Sequence, residues 1–431
     1  MTKNNKILHN AMWIIGCKIV QAILTMLITM LTARYLGPAN FGIINYAAAL
    51  VAFFIPIMQL GLRNVLVQEV VNRPNEEGKI LGTAMGMCLS AALFCMLMIF
   101  LICSMINRGE HETAVVCILY SVNLLFQALE MIVYWFQAKL LSKYQAVVSL
   151  VAYIMVSVYK VILLVIKKGI FWFAISQAID YMIISMTLII IYKKVGGQSF
   201  EFSYVEAKKM FEKSKFYIVS SLMVTIFAQI DRIMLKLMIG DEATGYYSAA
   251  VTCASMTSFI FAAIIDSMRP SIYENKGRDE KKYEDSIIAL YNIIIWLALL
   301  QNIIITMMAK PVVIVMYGNQ YLPAINALRI VVWYTTFSYI GSIRSIWILA
   351  ENKQKHLWKI NMSGIVINVL LNYLLIPRWG ILGASFASFV TQVFTNYIIS
   401  YFIKDIIYNN ELICKSINPC KFFNLLKNRM Q

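Results

Sequence analysis

The sequence predicts an all-α, polytopic membrane protein of about twelve transmembrane helices, arranged as two six-helix repeats of the same orientation. Three observations predict it. Of 431 residues, 60% are hydrophobic and only 14% are charged, against about half and a quarter in soluble domains. Apolar stretches of about 20 residues, long enough to cross ~30 Å of hydrocarbon, recur along the whole length. Three short segments of the first half return in the second, in the same order.

The stretches are 10–34, 40–62, 80–106, 113–136, 144–166, 170–192, 215–239, 244–267, 286–309, 322–349, 357–376 and 380–403. The first follows Lys3 and Lys6, exceeds the core of a signal peptide and is followed by no small-residue cleavage site. It is expected to stay in the chain. Gly37 and Gly42 mark a tight turn before the second span, and Pro56 interrupts that span by removing a backbone donor. Lys160 and Asp180 flank the turn at Lys167–Gly169 and are expected to pair across it. A polar run rich in Lys and Gly separates the halves. The expected organisation is an N-terminal six-helix lobe over 1–194, a cytoplasmic linker over 195–214, a C-terminal six-helix lobe over 215–404 and a basic cytoplasmic tail over 405–431.

The repeats rest on three echoes. Gly37 and Gly42 correspond to Gly240 and Gly245 at an offset of 203. "WFQAKLLSKY" from Trp135 corresponds to "WILAENKQKH" from Trp347 at 212, and "KKGIFWFAIS" to "PRWGILGASF" at 211, aligning Gly169 with Gly380. Six spans is an even number, so both halves have the same orientation and are related by an axis along the membrane normal.

The net charge of +16 is topological and does not indicate nucleic acid. Of 38 Lys and Arg, 26 fall on the side of the termini, six in the opposite loops and six inside spans. The positive-inside rule then places both termini in the cytoplasm, where anionic lipid headgroups meet the charge. Eight scattered cysteines contain no Cys-x-x-Cys, and the three histidines form no cluster, so no metal or cofactor is expected. No phosphate-binding G-x-x-x-x-G-K-[ST] occurs. Short outward loops weigh against a membrane enzyme with an external catalytic loop.

Charges inside spans point to a site, because each costs at least ~2.5–3.5 kcal/mol at the bilayer centre. Ser221, Thr225, Gln229, Arg232 and Lys236 are spaced 4, 4, 3 and 4, one face of a helix. Lys18, Gln21, Thr25, Thr29 and Thr32 form a similar stripe on the first span. Asn45, Ala49, Ala52, Pro56, Gln59 and Arg63 form one on the second, with Ser248 to Asp266 as its counterpart on the eighth. Small residues serve helix packing as well, but Arg232 and Lys236 are like charges one turn apart, unfavourable in a dry contact. A hydrated, anion-holding cavity explains the face. Glu130 and Asp180 are the candidate ion-coupling acids of the first half. Glu130 and Arg344, at similar depth in spans 4 and 10, are a candidate gate.

"RYLGPANFGIINYA", "LGLRNVLVQEV", "DRIMLKLMIGDEATGYYSAA", "YGNQYLPAINALRI" and "WGILGASFAS" resemble recurring segments of the polysaccharide-biosynthesis flippases, the O-antigen and capsule exporters of the multidrug/oligosaccharidyl-lipid/polysaccharide superfamily. The resemblance covers roughly residues 8–404. It implies a V-shaped, MATE-like transporter in the bacterial cytoplasmic membrane, with a cavity between lobes lined by spans 1, 2, 7 and 8. It also implies an undecaprenyl-pyrophosphate-linked oligosaccharide as substrate, an ion gradient as drive, and glycosyltransferases or a polymerase of the same pathway as partners. On that reading Arg63, Arg269 and Asp266 make first capture at the cytoplasmic mouth. Lys18, Arg232 and Lys236 hold the headgroup deeper, with Gln21, Gln59, Gln229 and Asp231 beside it. The alternatives are a multidrug cation antiporter, which calls for an acidic cavity, a polysaccharide polymerase or ligase, and, closer, a lipid-linked peptidoglycan-precursor or teichoic-type flippase.

Overall fold

The structure is a computed structural model that describes residues 3–417, with side chains from Gly16 onward apart from Asn64. Among the described residues every regular element is a helix. Contacts divide the chain into two units, Met1–Gln229 and Ile230–Gln431.

The first unit opens with α1 (Lys3–Met58), which carries the first two expected spans in one element. Gly37 breaks its geometry with φ 75° and ψ 171°, a region open to glycine and strained for other residues. After Met58 the chain turns through Leu60 and Gly61, both at positive φ. Arg63 therefore starts a separate short helix, α2 (Arg63–Asn72). The third span is α3 (Glu77–Ile106). The fourth is broken into α4 (His111–Ser121), α5 (Asn123–Leu129) and α6 (Val133–Ala138), with a 3₁₀ turn at Glu130–Ile132. Next come α7 (Ser142–Val165), α8 (Ile170–Lys194) and α9 (Tyr204–Met238), inside which the division between units falls.

The expected linker is therefore half helix. Ala207, Met210 and Ser214 are buried at helical spacing while Lys208, Lys209 and Lys213 are exposed. The lysines mark one face of an amphipathic helix, not an open coil. The rest of the linker is strapped to α3. Gly78, Gly82 and Gly86 lie one turn apart, and a Cβ on them would run into the backbone of Ser199, the backbone of Glu201 and the ring of Phe202. The Gly78 amide donates to Gln198 Oε1 at 3.0 Å, and the Ser203 amide to Thr83 Oγ1 at 3.1 Å.

An ion cluster closes the strap. Arg73 grips Glu206 with both Nη atoms and donates to Glu69 Oε2 at 2.6 Å, while Lys213 Nζ reaches Glu69 Oε1 at 2.5 Å. Burial pushes the Glu69 carboxyl up, but the bonds from Lys213 and Arg73 outweigh it and hold the group below its usual range.

The second unit continues from the end of α9 through α10 (Asp241–Ser255) and α11 (Ser258–Asn275), a pair bent by 43°. It goes on with α12 (Glu280–Tyr317), α13 (Ala324–Ala350), α14 (Leu357–Trp379) and α15 (Ile381–Asn396). The chain read as a tail then folds back as α16 (Ile407–Ser416). Leu412 and Ile413 of α16 join the core formed by Ile287, Tyr291, Ile343 and Trp347. Apolar residues inside the basic stretch account for this. Lys421, Lys427 and Arg429 lie outside the described residues. Each of the twelve expected spans lies mostly on helix. Among the described residues eight helices are long and apolar enough to cross a membrane, or nine with the bent pair as one span.

The three echoes reappear as geometry within each unit. Gly37 and Gly240 both take positive φ at a helix break. Leu140 and Asn352, 212 apart, take φ 58° and 54°. The bond from Leu141 N to Phe136 O has its counterpart from Lys353 N to Ile348 O. Gly169 and Gly380 each precede a helix, α8 and α15.

Candidate functional site

The second unit builds a polar centre from α9, α10, α14 and α15. Gly383 lets α15 approach α14, since a Cβ there would strike the Leu375 carbonyl. Asp231 of α9 is 8% exposed. Its Oδ1 accepts from Asn372 Nδ2 at 2.6 Å, and its Oδ2 from Tyr247 OH at 2.6 Å and Ser388 Oγ at 2.5 Å. Asn372 Nδ2 also donates to Asn368 Oδ1 at 3.0 Å. Three donors from three helices thus fix one carboxylate. Hydrogen bonds to a charged acceptor are about twice as strong as neutral ones.

Arg232 is half-buried, and its Nε donates to Ser248 Oγ at 3.2 Å. Gln229 is half-buried as well. Lys236 departs from the stripe reading, which leaves it open beside Arg232. It is 6% exposed, and its Nζ meets Asp241 Oδ1 at 2.7 Å. The turn at Gly240 returns this first-turn acid of α10 over the last turn of α9, and a buried ammonium requires a partner. Asp266 and Arg269 form an exposed pair at 2.9 Å, three residues apart on α11. Such pairs contribute about 0–1 kcal/mol.

In the first unit Lys18 and Arg63 are exposed, while Gln21 and Gln59 are half-buried. Among the described residues no hydrogen bond or ion pair joins these four. Glu130 and Asp180 do come together, within electrostatic reach of each other, and Lys160 lies within reach of Asp180. The expected Lys160–Asp180 ion pair is not formed as a contact, and Asp180 Oδ1 is buried without a hydrogen-bond partner. Lys160 lies seven residues before Lys167 and Asp180 eleven after Gly169, an offset of about 6 Å at 1.5 Å per residue. Arg344, read with Glu130 as a gate, is 3% exposed and donates through Nη2 to Asn396 Oδ1 at 3.1 Å within the second unit.

The Asp231 centre offers carboxylate, amide and hydroxyl oxygens, the chemistry that takes up an oxygen-preferring cation. Arg232 beside it offers a planar fork suited to phosphate oxygens. Among the described residues no group of three or more His, Cys, Asp or Glu is placed to hold a metal ion. Sequence reasoning missed Asn368, Asn372, Tyr247 and Ser388. Two asparagines one turn apart in the apolar "NVLLNYLL" are a usable signal. Ser388 looks like any small residue of a helix contact.

Comparison with known proteins adds a family and a fold. The sequence profile of the family described as polysaccharide biosynthesis protein matches residues 7–276. The chain is similar to the inward-facing structure of a multidrug resistance MATE family transporter of the MOP superfamily. The TM-score is 0.70 at 13% identity, covering 91% of this chain and 94% of that one. It is equally similar to the lipid II flippase MurJ in an inward closed conformation, with TM-score 0.70, 14% identity and coverage of 91% and 89%. At these identities the likeness shows the fold. An uncharacterized membrane protein of Methanocaldococcus jannaschii is 24% identical over 240 residues, 52% of this chain. The match spans about half, 46%, of that relative's length.

Proposed function

Because this chain belongs to the polysaccharide biosynthesis protein family, a multi-pass membrane protein with the fold of a MATE transporter and a flippase, we propose that it flips undecaprenyl-pyrophosphate-linked oligosaccharide. The substrate moves from the cytoplasmic to the outer leaflet of the bacterial plasma membrane by alternating access, driven by an ion gradient. The repeat units serve O-antigen, capsule or exopolysaccharide assembly, and the glycosyltransferases and polymerase of that pathway act before and after. Both termini are cytoplasmic.

The observation that carries this reading is Arg232, a half-buried guanidinium within a membrane-spanning helix, steadied by Ser248 and set one residue from a carboxylate fixed by three donors. A pyrophosphate group is the anion that such a fork suits. Arg63, Arg269 and Asp266 serve first capture, with Lys18, Gln21, Gln59 and Gln229 along the path. Lys236, paired with Asp241, supports the site through Arg232's helix and lends field more than contact. Glu130 and Asp180 exchange the driving ion in the first unit. A multidrug resistance MATE family transporter shares the fold, but the Arg232 fork favours an anionic cargo.

The test is complementation of a flippase-null strain, with membrane levels of each variant measured alongside. Arg232→Ala is expected to leave lipid-linked repeat units on the cytoplasmic leaflet at normal protein level. Arg232→Lys retains part of the activity, because the charge stays and the fork is lost. Full export by well-expressed Arg232→Ala overturns the reading. Glu130→Gln with Asp180→Asn is expected to remove the dependence of transport on external pH. An unchanged profile discards both as coupling groups.

A further inference from the structure

A second buried cation stands apart from the substrate path. Arg344 of α13 is 3% exposed. Its Nη2 donates to Asn396 Oδ1, while its Nε and Nη1 are buried with no hydrogen-bond partner. Within the second unit no described carboxylate pairs with it. Guanidinium does not lose its proton in proteins. A buried charge without a counter-charge is among the most unfavourable arrangements a protein interior holds.

The surroundings are polar and donor-rich. Tyr291 of α12 lies within electrostatic reach of Arg344, and its OH donates to Asn409 Oδ1 of α16 at 3.0 Å. This leaves Asn409 Nδ2 buried without a partner, as is Ser400 Oγ just after α15. Tyr291, Asn409 and Ser400 are each 0% exposed and Asn396 is 8% exposed. Gly341, one turn before Arg344, brings α13 close to Asn396, since a Cβ there would overlap the amide. The guanidinium's own Nε and Nη1, buried without acceptors, call for an anion. The low exposure leaves no mouth for a lipid headgroup or a pyrophosphate, so the occupant is small and dehydrated.

We propose that Arg344, with Asn409 Nδ2, forms a site for a chloride-sized monovalent anion at the Lys353 end of the second unit. The anion neutralises the guanidinium and fastens α16 to α12 and α13. This is a structural ligand, independent of the cargo proposed above.

The experiment is thermal unfolding of the purified full-length protein in detergent, with chloride or bromide exchanged for gluconate at constant ionic strength. The melting temperature is expected to rise saturably with chloride and bromide and not with gluconate. Arg344→Gln is expected to abolish the response. Asn409→Ala is expected to raise the half-effective chloride concentration about tenfold. Crystals grown in bromide are expected to show an anomalous peak at Arg344. Equal melting temperatures in chloride and gluconate, or an unaltered response in either variant, overturn the site. If Arg344→Gln does not fold, Asn409→Ala and the bromide peak decide, and absence of the peak means that water alone fills the space.

Discussion

Asn372 Nδ2 donates to Asp231 Oδ1 at 2.6 Å, joining two helices of the second unit 141 residues apart in sequence. The amide does for the carboxylate what a neighbouring cation would otherwise do, while the adjacent Arg232 donates to Ser248. It also makes Asp231 a structural keystone, because Tyr247 and Ser388 depend on the same group.

Asp231→Asn is therefore expected to destabilise the second unit. The new amide turns donor against donor, and each buried group left unmatched costs about 1–3 kcal/mol. Asn372→Ala is expected to fall in the same range. Melting temperature in detergent and membrane level report it. A fully stable Asp231→Asn with normal export shows that the carboxylate holds neither the fold nor the cargo.

Lys236 and Asp241 make a cycle. Removing one partner of a buried pair costs about 3–5 kcal/mol, whereas replacing both with apolar groups is often neutral. Asp241 is 26% exposed on its side chain, so the lower end applies. Lys236→Met and Asp241→Leu are each expected to lower the melting temperature, and the double variant to recover most of it. Additive losses mean that the contact carries no coupling energy.

The strap cluster predicts acid sensitivity. Glu69 is held below its ordinary value, chiefly because Lys213 and Arg73 outweigh its burial. A depressed carboxyl contributes stability that is complete above its unfolded value of about 4.3 and is lost as pH falls through the lower folded value. The melting temperature is expected to drop below about pH 4 in the wild type. Glu69→Gln lowers it near neutral pH and flattens that drop. A wild-type acid limb equal to that of Glu69→Gln removes Glu69 from the account.

Gly82→Leu tests the strap itself. A side chain there meets the Glu201 backbone, which no rotamer change relieves. The linker is expected to lift from α3 and become cleavable by protease near Ser199 in the detergent-purified protein. A protected linker in a well-expressed Gly82→Leu protein shows that the strap is held by Arg73, Glu206 and Glu69 alone.

Membrane residence, helical class and the internal repeat were legible from the sequence. Each depends on local composition or on spacing along one helix: twenty apolar residues suffice for a span, and a glycine at a turn announces itself. Even the repeat was visible, because Gly37 with Gly240 and Leu140 with Asn352 perform the same backbone duty. The polar face of α9 was also readable from its period. How the charges on that face are partnered was not. Lys236 is taken by Asp241 across a turn, and Asp231 by residues from α10, α14 and α15. Lysines read as a linker became a helix face once Ala207, Met210 and Ser214 were buried, and the tail's Leu412 and Ile413 entered a core. Periodicity reports which residues share a face, but partner choice depends on side chains brought together from distant positions. Desolvation makes that choice decisive, since a buried charge is tolerated only where tertiary packing supplies its counterpart.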